Sequence, residues 1–445
     1  MDEDTRRLVA VAERLIDAAK RAGADAADAA VVRSFGRSVS VRLGKVEDTE
    51  SAESEDLALR VFVGQRVSTV SANIDADVGR LAERAVAMAR VSPEDAYAGL
   101  ADADRLAEGD IDLDLYDPTS LSSEEMVEQA LALEDAARAV SGVTNSGGAS
   151  VSAGASGLVL ATSSGFSGHR MRSGFSRSVS VIAGEGVKME RDYDFDSRIH
   201  YGDLEAPETI GRRAGERTVR RLDPKLPKTG SYPIVFDPRI ARGLIGSLVG
   251  AINGAAIARG TSFLKDRMGE QVLPTSMTLI DDPLLPRRAG SRAFDGEGVR
   301  GERMALVEDG ILKSWVLDTA TARELGLSTN GRASRSSGGV SPSSSNVILS
   351  AGSQSPEDLI RETGNGIYVH ELIGQGVNMV TGDYSRGATG FLIENGELTT
   401  PVSELTIAGN VRDMLLSLTA ANDLDERFSI VAPTLRIEKM TVAGR

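Results

Sequence analysis

Apolar residues recur at helical spacing across residues 3–22 (Leu8, Val9, Val11, Ala12, Leu15, Ile16 and Ala19), and Gly23 supplies a stop. The period then drops to two. The runs "ADAAVVRSF", "SVSVRLGKVE", "DLALRVFVG" and "RVSTVSA" alternate in character and are separated by Gly or charged turns, which predicts strands. A second helical pattern, "ADVGRLAERAVAMARV", closes this unit near Val91. The order recurs. "SSEEMVEQALALEDAARAV" predicts a helix capped by Ser122 or Ser123, with glutamates in its first turn. The runs "GASVSAGA", "GLVLATSSG", "RMRSGFSRSVSVIAG" and "GVKMERDYDF" predict strands, and "APETIGRRAGERTVRRL" predicts a helix. Residues 1–97 and 120–222 therefore each read helix, four strands, helix. This is the pattern of an internal duplication, joined by the acidic stretch 98–119.

The segment Leu222–Pro233 holds three prolines and a glycine and reads as a domain linker. Beyond it "IVF" predicts a strand, and "DPRIARGLIGSLVGAINGAAIARG" a helix with Pro in its first turn. That helix is rich in Gly, Ala and Ser on all sides, as expected of one deep in the protein or against a partner. Most of the remainder is strand. Asp309-Gly310 and Asn395-Gly396 mark two hairpin turns. Gly331–Asn346, with seven serines in sixteen residues, reads as a loop: either a plain surface loop or a flexible lid that contacts peptide. The fold class expected is α+β. A duplicated N-terminal helix-plus-antiparallel-sheet domain (1–222) precedes a β-rich C-terminal domain (233–445).

A chain of 445 residues is long enough for two or three cores, and with 41% hydrophobic but only 4% aromatic residues those cores must be aliphatic. The net charge of −15 disfavours nucleic-acid backbones, which require clustered Lys and Arg, and reads as solubility in cytosol. With no cysteine, disulfides, thiolate zinc sites, iron–sulfur clusters and cysteine nucleophiles are excluded. The start "MDEDTRRLVAVAERL" lacks a signal-peptide core, and Leu244–Ala258, the least polar long stretch, is too short and interrupted to span a bilayer. A soluble cytoplasmic protein is expected, with no nucleic-acid or membrane partner.

Candidate chemistry is sparse. There is no GxSxG elbow, no P-loop, and no GxGxxG after a strand. Of three histidines, His169 and His200 read as ordinary surface or strand residues. His370-Glu371 opens as zinc-protease helices do, but the fourth residue after His370 is Gly374, so HExxH fails. Gln375, one further on, lies about 140° away around a regular helix and is a poor zinc ligand. The residues after this helix-like start, "GQGVNMVTGDYSRGATG", place Asn378, Asp383, Tyr384, Ser385 and Arg386 among five glycines. They read as a buried polar turn or as a loop that binds peptide backbone or a partner subunit.

"GEQVLP" (269–274), "FDGEGVR" (294–300), "ELIGQGVNMVTGDYSRGATGFLIENGEL" (371–398) and "PVSELTIAGNVRDM" (401–414) resemble the TldD/PmbA family, once called modulators of DNA gyrase. The resemblance spans essentially the whole chain. In that family the TldD branch carries HExxxH, whose histidines bind zinc with a cysteine and whose Glu is the catalytic base. The PmbA branch, also called TldE, lacks these ligands. This chain is similar to the PmbA branch, since Gln375 replaces the second histidine and no cysteine exists; it departs from it in having His370 where threonine is common. The resemblance implies a chain without metal or other cofactor, and a vestigial catalytic pair at His370 and Glu371. It implies Gln375, Asn378, Asp383, Tyr384, Ser385 and Arg386 as substrate or partner contacts. A TldD-type partner would hold the zinc in a heterodimer, with a homodimer as the other assembly, and unfolded or extended peptides would be cleaved. The rival readings are a self-sufficient metallopeptidase built on His370 and Glu371, and a non-enzymatic peptide-binding scaffold.

Overall fold

The computed structural model describes residues 3–109, 111–336, 339–374 and 376–444. The first half is helix α1 (Glu3–Ala22), strands β1 (Ala26–Arg42), β2 (Lys45–Val63) and β3 (Arg66–Asn73), and helix α2 (Val78–Val91). The second is α3 (Ser123–Arg138), β4 (Val143–Thr162), β5 (Ser167–Ala183), β6 (Glu190–Arg198) and α4 (Pro207–Arg220). Each half thus holds three strands rather than the expected four. The first two runs of each half fuse into one long strand, because the residues between them, Gly36-Arg37 in β1 and Ser156 in β4, continue the ladder instead of turning it. Gly36 of β1 pairs with Gly154 of β4, which pairs with Gly174 of β5. A Cβ on Gly154 would lie 2.6 Å from the Phe35 carbonyl oxygen, so close backbone approach explains this residue.

The six strands form one antiparallel sheet in the order β3-β2-β1-β4-β5-β6. Odd-numbered side chains of β1 and β4 face the helices. Ala29, Val31, Val159 and Ala161 pack under α1 and α2, whereas Val39, Val41, Ala149 and Val151 pack under α3 and α4. Ser122 caps α3 in a reciprocal capping box with Glu125. The even-numbered face, including Ala30 and Leu160, meets Phe166 and Phe294 and looks toward the C-terminal half.

That half comprises β7 (Gly230–Phe236), α5 (Pro238–Ala251), β8 (Leu279–Asp281), β9 (Met304–Glu308), β10 (Ile311–Leu312), β11 (Ala333–Ser336), β12 (Gly339–Pro342), β13 (Val347–Leu349), β14 (Gly366–Ile373), β15 (Asp383–Glu394), β16 (Glu397–Asn410), β17 (Leu418–Ala420), β18 (Ile430–Val431) and β19 (Leu435–Ala443), with short helices between them. Strands β16-β15-β14-β7-β19 form a ring, because β16 also pairs with β19. Closure leaves neither β16 nor β19 as a free edge where they pair. A second sheet runs β10-β9-β8-β13-β18. Both expected hairpin turns form, with Asp309-Gly310 at φ 48° and 79° and Asn395-Gly396 at φ 54° and 81°, the backbone of type I′ turns. The serine-rich segment is not simply a loop: β11 and β12 pair antiparallel within it. It is anchored at its end by Ser345, whose amide and hydroxyl both donate to Asp281. Among the described residues no helix is long and apolar enough to cross a membrane.

Candidate active-site remnant and interdomain cleft

His370 and Glu371 lie on β14, not on a helix. Ile367 and Val369 are fully buried on the period-two pattern of a core strand, and β14 runs between β7 and β15. Tertiary pairing of a β-branched run overrides the helical motif that the His-Glu pair suggests. The register with β15 slips between Val369 and Glu371, leaving His370 as an extra residue. This bulge re-aims the side chain, so both residues border one cavity of about 270 Å³, together with Asp192, Arg239, Arg242 and Arg386.

The His370 ring is 6% exposed, and its centroid lies 5.3 Å from that of Phe391. Neither ring nitrogen has a hydrogen-bond partner. Burial, and after it the nearby Arg221 guanidinium, depress its pKa to about 4, against a weaker pull from Asp192. The ring is therefore neutral at pH 7. Glu371 is held by Arg221, whose Nη2 is 2.6 Å from Oε2. The same guanidinium lies 3.5 Å from both Glu190 and Asp192. Burial raises the Glu190 carboxyl above its ordinary range despite Arg221. Burial would also raise Asp192, but Arg239, the Tyr193 amide and Arg221 outweigh it and hold Asp192 low.

The other expected contacts are divided. Gln375 lies outside the described residues. Asn378 closes a turn, accepting from the amides of Val380 at 3.0 Å and Thr381 at 3.3 Å. Asp383 accepts from the Thr381 hydroxyl at 2.7 Å and the Asn410 amide at 3.3 Å. Tyr384 is buried in the C-terminal core, and burial lifts its phenol to about 12. Ser385 is exposed, and its amide donates to the Gly376 carbonyl at 2.8 Å. A Cβ on Gly376 would lie 1.8 Å from the Ser385 carbonyl oxygen, so only glycine fits there. Arg386 alone among these residues joins His370 and Glu371 at the cavity. Of the remaining histidines, His200 packs on the 98–119 connector, with Nε2 2.9 Å from the Asp114 carbonyl oxygen. His169 lines a separate cavity beside that connector.

Arg221, Asp192, Glu190 and Arg239 went unnoticed in the sequence. A signal existed: "ERDYDFDSR" places acids at every second position of β6, and Asp192, Asp194 and Asp196 are buried, each facing arginines.

A zinc ion would find few free donors here. His370 offers two unpartnered ring nitrogens, as a ligand would. Yet Arg221 occupies the Glu371 carboxylate with a permanent positive charge, and the i+4 position is Gly374. Among the described residues no three His, Cys, Asp or Glu side chains converge on one point. Structural and catalytic zinc sites use at least three protein ligands, so these residues do not fit one.

The cavity adjoins larger spaces lined by residues of both halves of the molecule. Arg242 and Gly243 also line a space of about 1240 Å³, which shares Arg172, Ala289, Ser429 and Ile430 with one of about 600 Å³. On the β7 side β14 is paired only at residues 367–369, so no described strand covers that edge at residues 370–373.

Profiles of the PmbA/TldA metallopeptidase family match residues 27–89 (domain 1), 116–222 (central domain) and 229–444 (C-terminal domain). The metalloprotease PmbA of Escherichia coli O157:H7 is 38% identical over 95% of this chain and 93% of its own length. The PmbA homolog of Haemophilus influenzae is 35% identical over 100% and 97%. A Bacteroides thetaiotaomicron protein described as a modulator of DNA gyrase superposes with TM-score 0.91 at 29% identity over 100% of both chains. TldE of Thermococcus kodakarensis shares the fold, with TM-score 0.86 at 24% identity over 98% of this chain and 100% of that one. In sequence along nearly its full length, and in fold, the chain belongs to the PmbA/TldD metallopeptidase family.

Proposed function

We propose that this chain is the metal-free, PmbA-type subunit of a cytoplasmic two-subunit metallopeptidase. A TldD-type partner supplies the zinc and the glutamate that activates water. This chain supplies a wall of the peptide chamber. The observation that carries the reading is the Arg221–Glu371 ion pair: a carboxylate oxygen held by a guanidinium at 2.6 Å is already engaged and is not free to orient and activate a water. The stretch of β14 at residues 370–373, which no described strand pairs on the β7 side, supports substrate binding through main-chain hydrogen bonds, which read extended shape rather than sequence.

A second reading, a self-sufficient peptidase, draws on the unpartnered nitrogens of His370. Peptidase assays on an unfolded polypeptide separate the two. The chain alone should be inactive, and mixing with a TldD-type chain should produce cleavage. Glu371→Gln, which retains an oxygen acceptor for Arg221, should leave the mixture within about threefold of its unmutated rate, since a change below ~1 kcal/mol is expected when no chemistry is lost. Activity of the chain alone that vanishes with Glu371→Gln would establish the second reading. Peptide binding without cleavage in either preparation would leave only a scaffold.

A further inference from the structure

Three arginines in the cleft touch no carboxylate. Arg170 and Arg172 project from β5, and Arg292 from the segment before β9; all three border the space of about 600 Å³. Among the described residues none of them forms an ion pair, although the molecule carries a net charge of −15 and most of its buried arginines are paired. They are held instead by neutral carbonyls. Arg170 donates to the Phe294 carbonyl at 3.3 Å, Arg172 to that of Arg288 at 2.9 Å and to that of Ala289, and Arg292 to that of Ser343 at 2.7 Å. The Arg292 Nε is buried with no acceptor. Burial, with Arg292 and Arg172 close by, lowers Arg170 to about 10.

Asp295 acts on Arg170 and Arg292 from beyond contact distance, and Asp281 on Arg292, but the hydrogen bonds of the nearby carboxylates go elsewhere. Asp295 accepts from the amides of Glu297, Val299 and Ala333, Asp281 from Ser345, and Asp28 from Arg60 and Arg335. Asp56, exposed on β2, is the one acid among the lining residues of this space. Three guanidiniums fixed by the backbone, with like charges adjacent and a donor left over, form a preorganised receptor for an anionic planar group.

We propose that Arg170, Arg172 and Arg292 bind a carboxylate of the peptide substrate, so that this chain selects acidic segments or a peptide's C-terminus. The proposal rests on the peptide-chamber reading for its occupant. This space shares Arg172 with the neighbouring one, which shares Arg242 with the cavity at β14, so the three lie side by side along the path that one extended peptide would take.

Fluorescence anisotropy on the full chain, without a partner, tests it. The probes are labelled extended peptides containing Glu or Gln, each with a free or amidated C-terminus. The Glu peptides or the free acids should bind roughly tenfold more tightly than the uncharged Gln amide, as one charge-assisted contact gives. Dependence on Glu identifies side chains as the source, and dependence on the free terminus identifies the C-terminus. Arg292→Gln and, separately, Arg172→Gln should abolish the preference while thermal unfolding stays unchanged, and Arg292→Lys should retain part of it. Equal binding of all four peptides, no binding of any, or a preference that survives both glutamine variants overturns the proposal. Discrimination without peptidase activity in the partner mixture would sink the chamber reading alone; activity without discrimination would sink this one alone.

Discussion

Arg221→Met is expected to destabilise the protein by about 3–5 kcal/mol, the cost of removing one partner from a buried ion pair. Arg221 sits at the C-terminal end of α4 and is 7% exposed. Its guanidinium reaches Glu371 on β14, and Glu190 and Asp192 on β6, so it ties the N-terminal sheet to the C-terminal ring. Without it Glu371 and Glu190 lose their ion-pair partner beside a neutral histidine, and Asp192 keeps only Arg239. Chemical denaturation followed at Trp315, the only tryptophan and part of the C-terminal core, reports the loss. Arg221→Met combined with Glu371→Gln should recover part of it, because one of the orphaned charges is then gone. A loss under about 1 kcal/mol would mean that water solvates these carboxylates and that the ion pair does not organise the site.

His370 gives the second large effect, and it is pH-dependent. Its folded-state pKa is about 4 against an ordinary value of 6.5. Between those values the unfolded chain binds the extra proton, so stability rises with pH and is lost as pH falls toward 4. The gap corresponds to about 3 kcal/mol. Asp295, raised to about 6 by burial and by Glu297, acts with the opposite sign, losing stability as pH rises from 3.8 to about 6. The comparison with His370→Leu isolates the histidine. The stability difference between the two proteins should shift by about 3 kcal/mol in favour of the leucine variant as pH drops from 7 to 4. A difference that stays flat over this range would mean that the ring is solvated and that its unpartnered nitrogens meet water.

Much of this architecture was legible because it is written in local periodicity. The helices of the two halves, the capped start of α3 and the Asn-Gly and Asp-Gly hairpins all follow from spacing and turn chemistry. The misreadings have a common cause in long-range pairing. Gly36 looked like a strand break but continues β1 opposite Gly154 of β4. His370-Glu371 looked like a helix start but belongs to a strand flanked by β7 and β15. The serine-rich segment looked like a loop because hydroxyls carry no hydrophobic period, yet β11 and β12 pair there. At the site, the sequence supplied His370, Glu371 and Arg386. Arg221 and Asp192 come from about 150 and 180 residues away in the chain, and only the packing of β6 and the end of α4 against β14 brings them in. A histidine pattern can be searched for along a chain, but an arginine lying where it neutralises a would-be base cannot.

The central claim is that this chain carries no catalytic metal of its own. Zinc content of the chain purified alone, measured by elemental analysis after dialysis, tests it most directly. The account predicts far less than one zinc per chain, unchanged by His370→Ala. One zinc per chain that is lost on His370→Ala would contradict it.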